Sequence, residues 1–198
     1  MRSKMILTIA IAALAVMCVG AQAATVSGTV TDGPGGPGIN KALVVLLAGN
    51  NVTASGRTSG SGQYSLKGVG NGRYTIVVSA GAYASKTDTI SVNGNSTVNV
   101  PLVKLTKSDY RNVGRIVGFV KATGNKPVPN ALLLLKKGNA YVGATQPENV
   151  TGVYELEWYP SGTYTVIATA PGHNTASHGG QKISAGESLM LNIELQPK

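Results

Sequence analysis

Gly152 to His173 reads GVYELEWYPSGTYTVIATAPGH, and the spacing of its residues decides the fold. Tyr154 and Leu156 alternate with polar residues ahead of Pro160-Ser161-Gly162; Tyr164, Val166, Ala168 and Ala170 alternate after it. Period-two alternation on both sides of a turn predicts two short β-strands, each with one apolar face. Gly62 to Tyr83, GQYSLKGVGNGRYTIVVSAGAY, repeats the pattern ninety positions earlier. Gly62, Tyr64, Leu66, Gly72 and Tyr74 answer Gly152, Tyr154, Leu156, Gly162 and Tyr164, and Ile76, Val78 and Ala80 follow in step with Val166, Ala168 and Ala170. The chain therefore contains one supersecondary unit twice.

Outward from these stretches the same elements recur. Val26, Gly28 and Val30 share one face of an opening strand, as Ile116, Gly118 and Val120 do in the second copy. Ala42 to Leu47 and Ala131 to Leu135 read as strands apolar on both faces. The Gly/Pro run Gly33 to Gly38 is a loop; it lacks the Gly-Lys-Ser/Thr ending of a phosphate cradle. Asn93-Gly94 predicts a two-residue hairpin, and Gly186-Glu187 a second one near the end. No segment carries a helical period with caps, so the chain is all-β. The boundaries fall at 24–102 and 114–198, with 103–113, which carries Lys104, Lys107 and Arg111, as the linker.

The first 23 residues have the make-up of a cleavable export signal: Arg2 and Lys4, an apolar run from Met5 to Gly20, then Ala21-Gln22-Ala23. Cleavage after Ala23 leaves no retained membrane span and removes the only cysteine, Cys18, so the exported chain holds together without disulfides. It also lowers the formal charge from +9 to +7. That basic excess suits anionic polymers or cell surfaces and favours solubility; the scattered Lys and Arg form no nucleic-acid motif. A secreted or periplasmic location follows.

The succession of Gly-x-Val strand, Gly/Pro loop, Ala-x-Val-x-Leu strand, Gly-x-Tyr-x-Leu, Pro-x-Gly-x-Tyr and Ala-x-Gly-Tyr resembles the carboxypeptidase regulatory-like domain. It is carried by Gly28, Val30, Ala42, Val44, Leu46, Gly62, Tyr64, Leu66, Gly72, Tyr74 and Tyr83. In the second copy it is carried by Gly118, Val120, Ala131, Leu133, Leu135, Gly152, Tyr154, Leu156, Pro160, Gly162, Tyr164, Gly172 and His173. Gly70 replaces the usual Pro in one copy and His173 the usual Tyr in the other. The resemblance implies two tandem transthyretin-like (prealbumin-like) β-sandwiches, related to Cna B-type domains and to carbohydrate-binding-like folds, and a non-catalytic module with no cofactor.

The residues agree with a non-catalytic reading. Glu155 and Glu157 lie two apart on a strand, side by side on its solvent face rather than across a cleft. His173 and His178 share a loop without a third ligand, so no metal site is expected. A Cna B-type Lys–Asn crosslink would use Lys121 and Asn192, but strand parity turns both away from the core. Asn51, Asn95 and Asn149 fit the glycosylation acceptor pattern, which matters only in a host that uses it.

Two surface features remain. Trp158 and Tyr159 stand at a strand end where the first copy has Gly68 and Val69, and aromatic rings at sandwich loop tips are where sugars stack. Both are candidate carbohydrate-binding residues. Leu43, Val45, Val117, Phe119, Leu132 and Leu134 lie opposite the core parity and need a cover, either the other unit or another chain. The expected partners are accordingly a polysaccharide or cell-surface polymer, with a structural or adhesive role in an envelope assembly, through another envelope protein or an oligomer, as the alternative.

Overall fold

The computed structural model describes residues 23–198. The export-signal reading of the first residues and Cys18 lies outside the described residues. The first unit runs β1 (Ala24–Asp32), β2 (Leu43–Ala48), β3 (Asn51–Arg57), β4 (Gln63–Val69), β5 (Gly72–Ser79), β6 (Tyr83–Ala84), β7 (Lys86–Val92), β8 (Ser96–Thr97) and β9 (Val100–Lys104). After a 3-10 turn, Asp109–Arg111, the second unit runs β10 (Val113–Ala122), β11 (Lys126–Pro127), β12 (Leu132–Lys137), β13 (Ala140–Thr145), β14 (Val153–Pro160), β15 (Gly162–Thr169), β16 (Ala176–Ile183), β17 (Ser188–Met190) and β18 (Ile193–Leu195).

Each unit is a two-layer sandwich. In the first, β4-β1-β9-β6, with β8 beside β1, covers β3-β2-β5-β7; in the second, β11-β10-β14, with β17 and β18 beside β10, covers β13-β12-β15-β16. The alternating apolar residues meet between the layers. Val26, Val30, Val44, Leu46, Tyr64, Leu66, Ile76 and Val78 fill one core; Ile116, Val120, Leu133, Leu135, Tyr154, Leu156, Val166 and Ala168 fill the other.

The repeated glycines and tyrosines form a lock. β8 runs parallel to β1, and β17 parallel to β10. Where the chain crosses, a Cβ on Gly28 would overlap the Val98 carbonyl oxygen, and one on Gly118 the Leu191 carbonyl oxygen. Only glycine admits this approach. The Tyr64 hydroxyl then donates to the Val98 carbonyl and the Tyr154 hydroxyl to the Leu191 carbonyl, each at 2.7 Å. Asn99 Oδ1 accepts the Thr29 N–H at 3.0 Å, and Asn192 Oδ1 accepts the Phe119 N–H at 3.2 Å.

These phenols titrate with the fold. Burial pushes the Tyr64 hydroxyl up from its ordinary 10.0 to about 12, and pushes Tyr154 up as well. The folded chain holds the neutral phenol, so the stability Tyr64 contributes is complete below pH 10 and is lost as pH climbs through about 12. Urea midpoints measured at rising alkaline pH should fall through this window. The fall should be shallower in Tyr64→Phe, whose ring cannot ionise.

The turns named in the sequence exist, but their pairings differ from those expected. Asn93-Gly94 does not close a hairpin: β7 pairs antiparallel with β5, whereas β8 pairs parallel with β1 in the opposite layer. Gly186-Glu187 likewise joins β16, paired with β15, to β17, paired with β10. The stretches on either side of Gly72 and Gly162 also belong to opposite layers, because β4 pairs with β1 and β14 with β10. The turn residues set the local backbone, with Gly94 at φ 75° and Gly186 at φ 73°. Covering both sides of a core decides the partners. Two further strands, β3 and β13, are edge strands with too few large apolar residues to announce themselves.

A third apolar cluster joins the two sandwiches. Leu43, Val45, Leu47 and Val77 project from the outer face of β2 and β5, and Leu132, Leu134, Tyr141 and Ala144 from that of β12 and β13; all eight are buried together. Strand β12 is thus apolar on both faces for two reasons. Leu133 and Leu135 serve its own core, while Leu132 and Leu134 meet the other unit.

Candidate functional site

Trp158 sits on a β-bulge. The pairing of β10 with β14 slips between Gly114 and Ile116, just as β1 slips against β4 between Ala24 and Val26. In the first unit the bulge residue is Gly68, at φ 76° over open space. In the second it is Trp158, at φ 65°. A bulky residue in the left-handed region is disfavoured by about 1–2 kcal/mol. The indole is half-buried, and Tyr110 of the 3-10 turn packs against it edge-on, with ring centroids 4.5 Å apart and planes 80° apart. Tyr110 was not among the residues expected at the site. Its only signal was an aromatic residue within a basic linker.

Tyr159 corrects the expectation that it stands beside Trp158 as a second contact. The bulge turns the next side chain inward, and Tyr159 lies in the second core at 5% exposure. A ring buried this way has no free face for a sugar. Gly143 makes room for it, since a Cβ there would overlap the phenol oxygen. Its hydroxyl lies 3.3 Å from Ser85 Oγ, and burial raises its pKa.

That contact belongs to a polar seam along the apolar junction. The Ala144 N–H donates to Ser79 Oγ at 3.0 Å, Ser79 and Ser85 share a hydrogen bond at 2.9 Å, and Ser85 reaches Tyr159. The Tyr141 hydroxyl donates to Asn50 Oδ1 at 3.0 Å, and Arg57 Nε to Gln146 Oε1 at 3.2 Å. Hydrogen bonds of fixed geometry set the angle between the units, which apolar contact alone leaves loose. Of the outward apolar residues read from the sequence, Leu43, Val45, Leu132 and Leu134 lie in this junction. Val117 and Phe119 lie outside it, on the outer face of β10, with Phe119 at 38% exposure.

Glu155 and Glu157 border a small cleft at the same junction, with Lys41, Arg57 and Ser85. Glu155 is exposed, as expected, but Glu157 is half-buried. Burial raises the Glu157 pKa, the hydrogen bond and charge of Glu155 add to the rise, and Arg115 opposes it. At about 90 Å³ the cleft is far smaller than the roughly 300 Å³ at which small-molecule sites begin. It has room for water.

The remaining candidates stay apart. His173 Nδ1 lies 2.9 Å from the Pro171 carbonyl oxygen, and His178 lies on β16. No three His, Cys, Asp or Glu residues gather into a metal-binding group among the described residues. Lys121 Nζ stands 4.9 Å from the centre of the Phe119 ring, and Asn192 is committed to the Phe119 N–H. No helix among the described residues is long and apolar enough to cross a membrane.

No curated protein matches this chain. Among solved structures, the Bacillus anthracis TIE protein matches at 15% identity and a TM-score of 0.35, over 88% of this chain and 34% of that one. The minor pilin of Streptococcus agalactiae matches at 10% identity and a TM-score of 0.33, over 88% and 96%. The shaft pilin SpaA of Lactobacillus rhamnosus GG matches at 12% identity and a TM-score of 0.32, over 89% and 98%. At these values nothing about this chain's activity follows from the likeness. The family model for the carboxypeptidase regulatory-like domain matches residues 25–105 and again 115–196. These two stretches hold the two sandwiches with their Gly28/Tyr64 and Gly118/Tyr154 locks, and the chain belongs to the carboxypeptidase regulatory-like domain family, which it carries twice in tandem.

Proposed function

We propose that this chain is an exported, non-catalytic binding module that holds a carbohydrate or cell-surface polymer against Trp158, with Tyr110 as the supporting ring. The observation that carries the reading is the exchange of Gly68 for Trp158 at one and the same left-handed bulge. Glycine suits that backbone; tryptophan strains it, and strained residues cluster where a side chain has a task. Tyr110 braces the indole, and the part of it that stays exposed is what a ligand would meet. Aromatic faces take sugar rings through apolar contact with little loss of side-chain freedom.

Trp158 is the chain's only tryptophan, so its emission reports this position alone. Titration with soluble glycan fragments should shift or quench that emission, and Tyr110→Ala should weaken the response several-fold. Emission that no glycan alters would count against the reading. Two substitutions separate ligand contact from folding. Trp158→Ala removes the ring and keeps the strain, whereas Trp158→Gly removes both. The glycine variant should be more stable than the alanine variant by about 1 kcal/mol in urea unfolding, while both lose binding equally.

The structural or adhesive reading has its own support. The shared apolar cluster and the polar seam make the two sandwiches one stiff body, as a spacer requires.

A further inference from the structure

The two units differ in one face. On the outer surface of β1, β4 and β8, the first unit carries Ser27, Thr29, Gln63 and Thr97. The register-matched positions on β10, β14 and β17 are Val117, Phe119, Val153 and Met190. The match is set by pairing: Ser27 opposes Ser65 and Thr97, as Val117 opposes Glu155 and Met190. Four polar positions have become apolar on one sheet face, while the pairings of β1 with β4 and β8 and of β10 with β14 and β17, and the Asn99 and Asn192 clamps, correspond. Phe119 is 38% exposed and Met190 62% exposed. A solvated face gains nothing from such residues, and the first unit shows that the fold does not need them.

The charges around the face indicate what covers it. Arg115 lies 4.0 Å from Glu155, and Lys121 is the register partner of Glu194. With Glu157 beside Glu155, two cations and three anions leave the face without positive excess, although the formal charge after export-signal cleavage is +7. The positive excess of the chain therefore lies outside this face, and two copies meeting here do not bring it together. In a two-fold pairing across this face, the Arg115–Glu155 pair of one chain would exchange partners with that of the copy. We propose that Val117, Phe119, Val153 and Met190 form a self-complementary surface through which two copies of this chain pair sheet to sheet. The pairing does not depend on the Trp158 reading, and either can fail alone.

Sedimentation velocity on the purified chain over a concentration series tests it. The mass should rise from one chain towards two. Val117→Ser with Phe119→Thr, the residues of the first unit, should weaken association about tenfold or more while leaving thermal unfolding unchanged at concentrations where the chain is monomeric. Arg115→Glu alone and Glu155→Arg alone should each weaken it, and an equal mixture of those two variants should restore it, because each then meets opposite charge. A chain that is monomeric throughout overturns the proposal. So does association that ignores the apolar exchange, or a charge-swapped mixture that fails to recover.

Discussion

Gly118→Ala is expected to destabilise the second sandwich by about 3–5 kcal/mol, a large part of a small domain's stability. The added Cβ meets the Leu191 carbonyl oxygen, a backbone atom that cannot step aside as the end of a side chain can. To relieve the overlap β17 must move off β10. The Tyr154 hydroxyl bond to Leu191 and the Asn192 bond to the Phe119 N–H then stretch together. Each neutral hydrogen bond contributes about 1 kcal/mol, and overpacking adds about 1–3 kcal/mol. Gly28→Ala should act alike on the first unit, through Val98. Gly60→Ala, where nothing lies within 4 Å, should be neutral or slightly stabilising. Urea unfolding of the three variants checks the ranking. Equal stability for Gly118→Ala and Gly60→Ala would mean that the close crossing is not built as described.

Leu134→Asp is the second large effect, and it acts between the units rather than within one. Leu134 is 1% exposed, yet it faces Leu43, Val45 and Val77 of the other sandwich. A carboxylate there would be buried without a partner, which costs several kcal/mol. Unlike a core residue, however, it can reach water if the sandwiches part. The penalty is therefore capped by the free energy of undocking, and the expected outcome is separation of two folded units rather than collapse of one. Circular dichroism reports both sandwiches, whereas Trp158 fluorescence reports the second alone. The two signals should coincide in the parent chain and separate in Leu134→Asp. Coincident transitions in the variant would show that the junction contributes little.

Much of this was legible in the sequence. The ninety-residue offset, the period-two alternation and the Gly-x-Tyr-x-Leu pattern suffice for two β-sandwiches, because a half-buried strand admits few other spacings. Double-faced strands such as Leu132 to Leu135 also carried the junction in outline: apolar residues at the wrong parity require a cover. Strand partners were less legible. Asn93-Gly94 fixes a local backbone, but whether the next strand turns back or crosses to the other layer depends on Val100 and Leu102, which have to close the first core from the opposite side. The site was half legible. Trp158 stood out by type, but its left-handed backbone and its contact with Tyr110 depend on a bulge and a linker turn that no short-range pattern announces. Tyr159 misled because a bulge moves parity by one, and an aromatic beside a turn then points into the core instead of outward.

Retention of the purified chain on insoluble polysaccharides and cell-wall sacculi, at low and high salt, tests the proposed function most directly when Trp158→Gly is carried alongside. The glycine variant keeps the bulge at ease, so loss of binding cannot be laid to misfolding. Salt-resistant retention of the parent chain, abolished in Trp158→Gly, is the expected result. Retention that salt removes and Trp158→Gly leaves intact would contradict it, and would assign the binding to the basic charge alone.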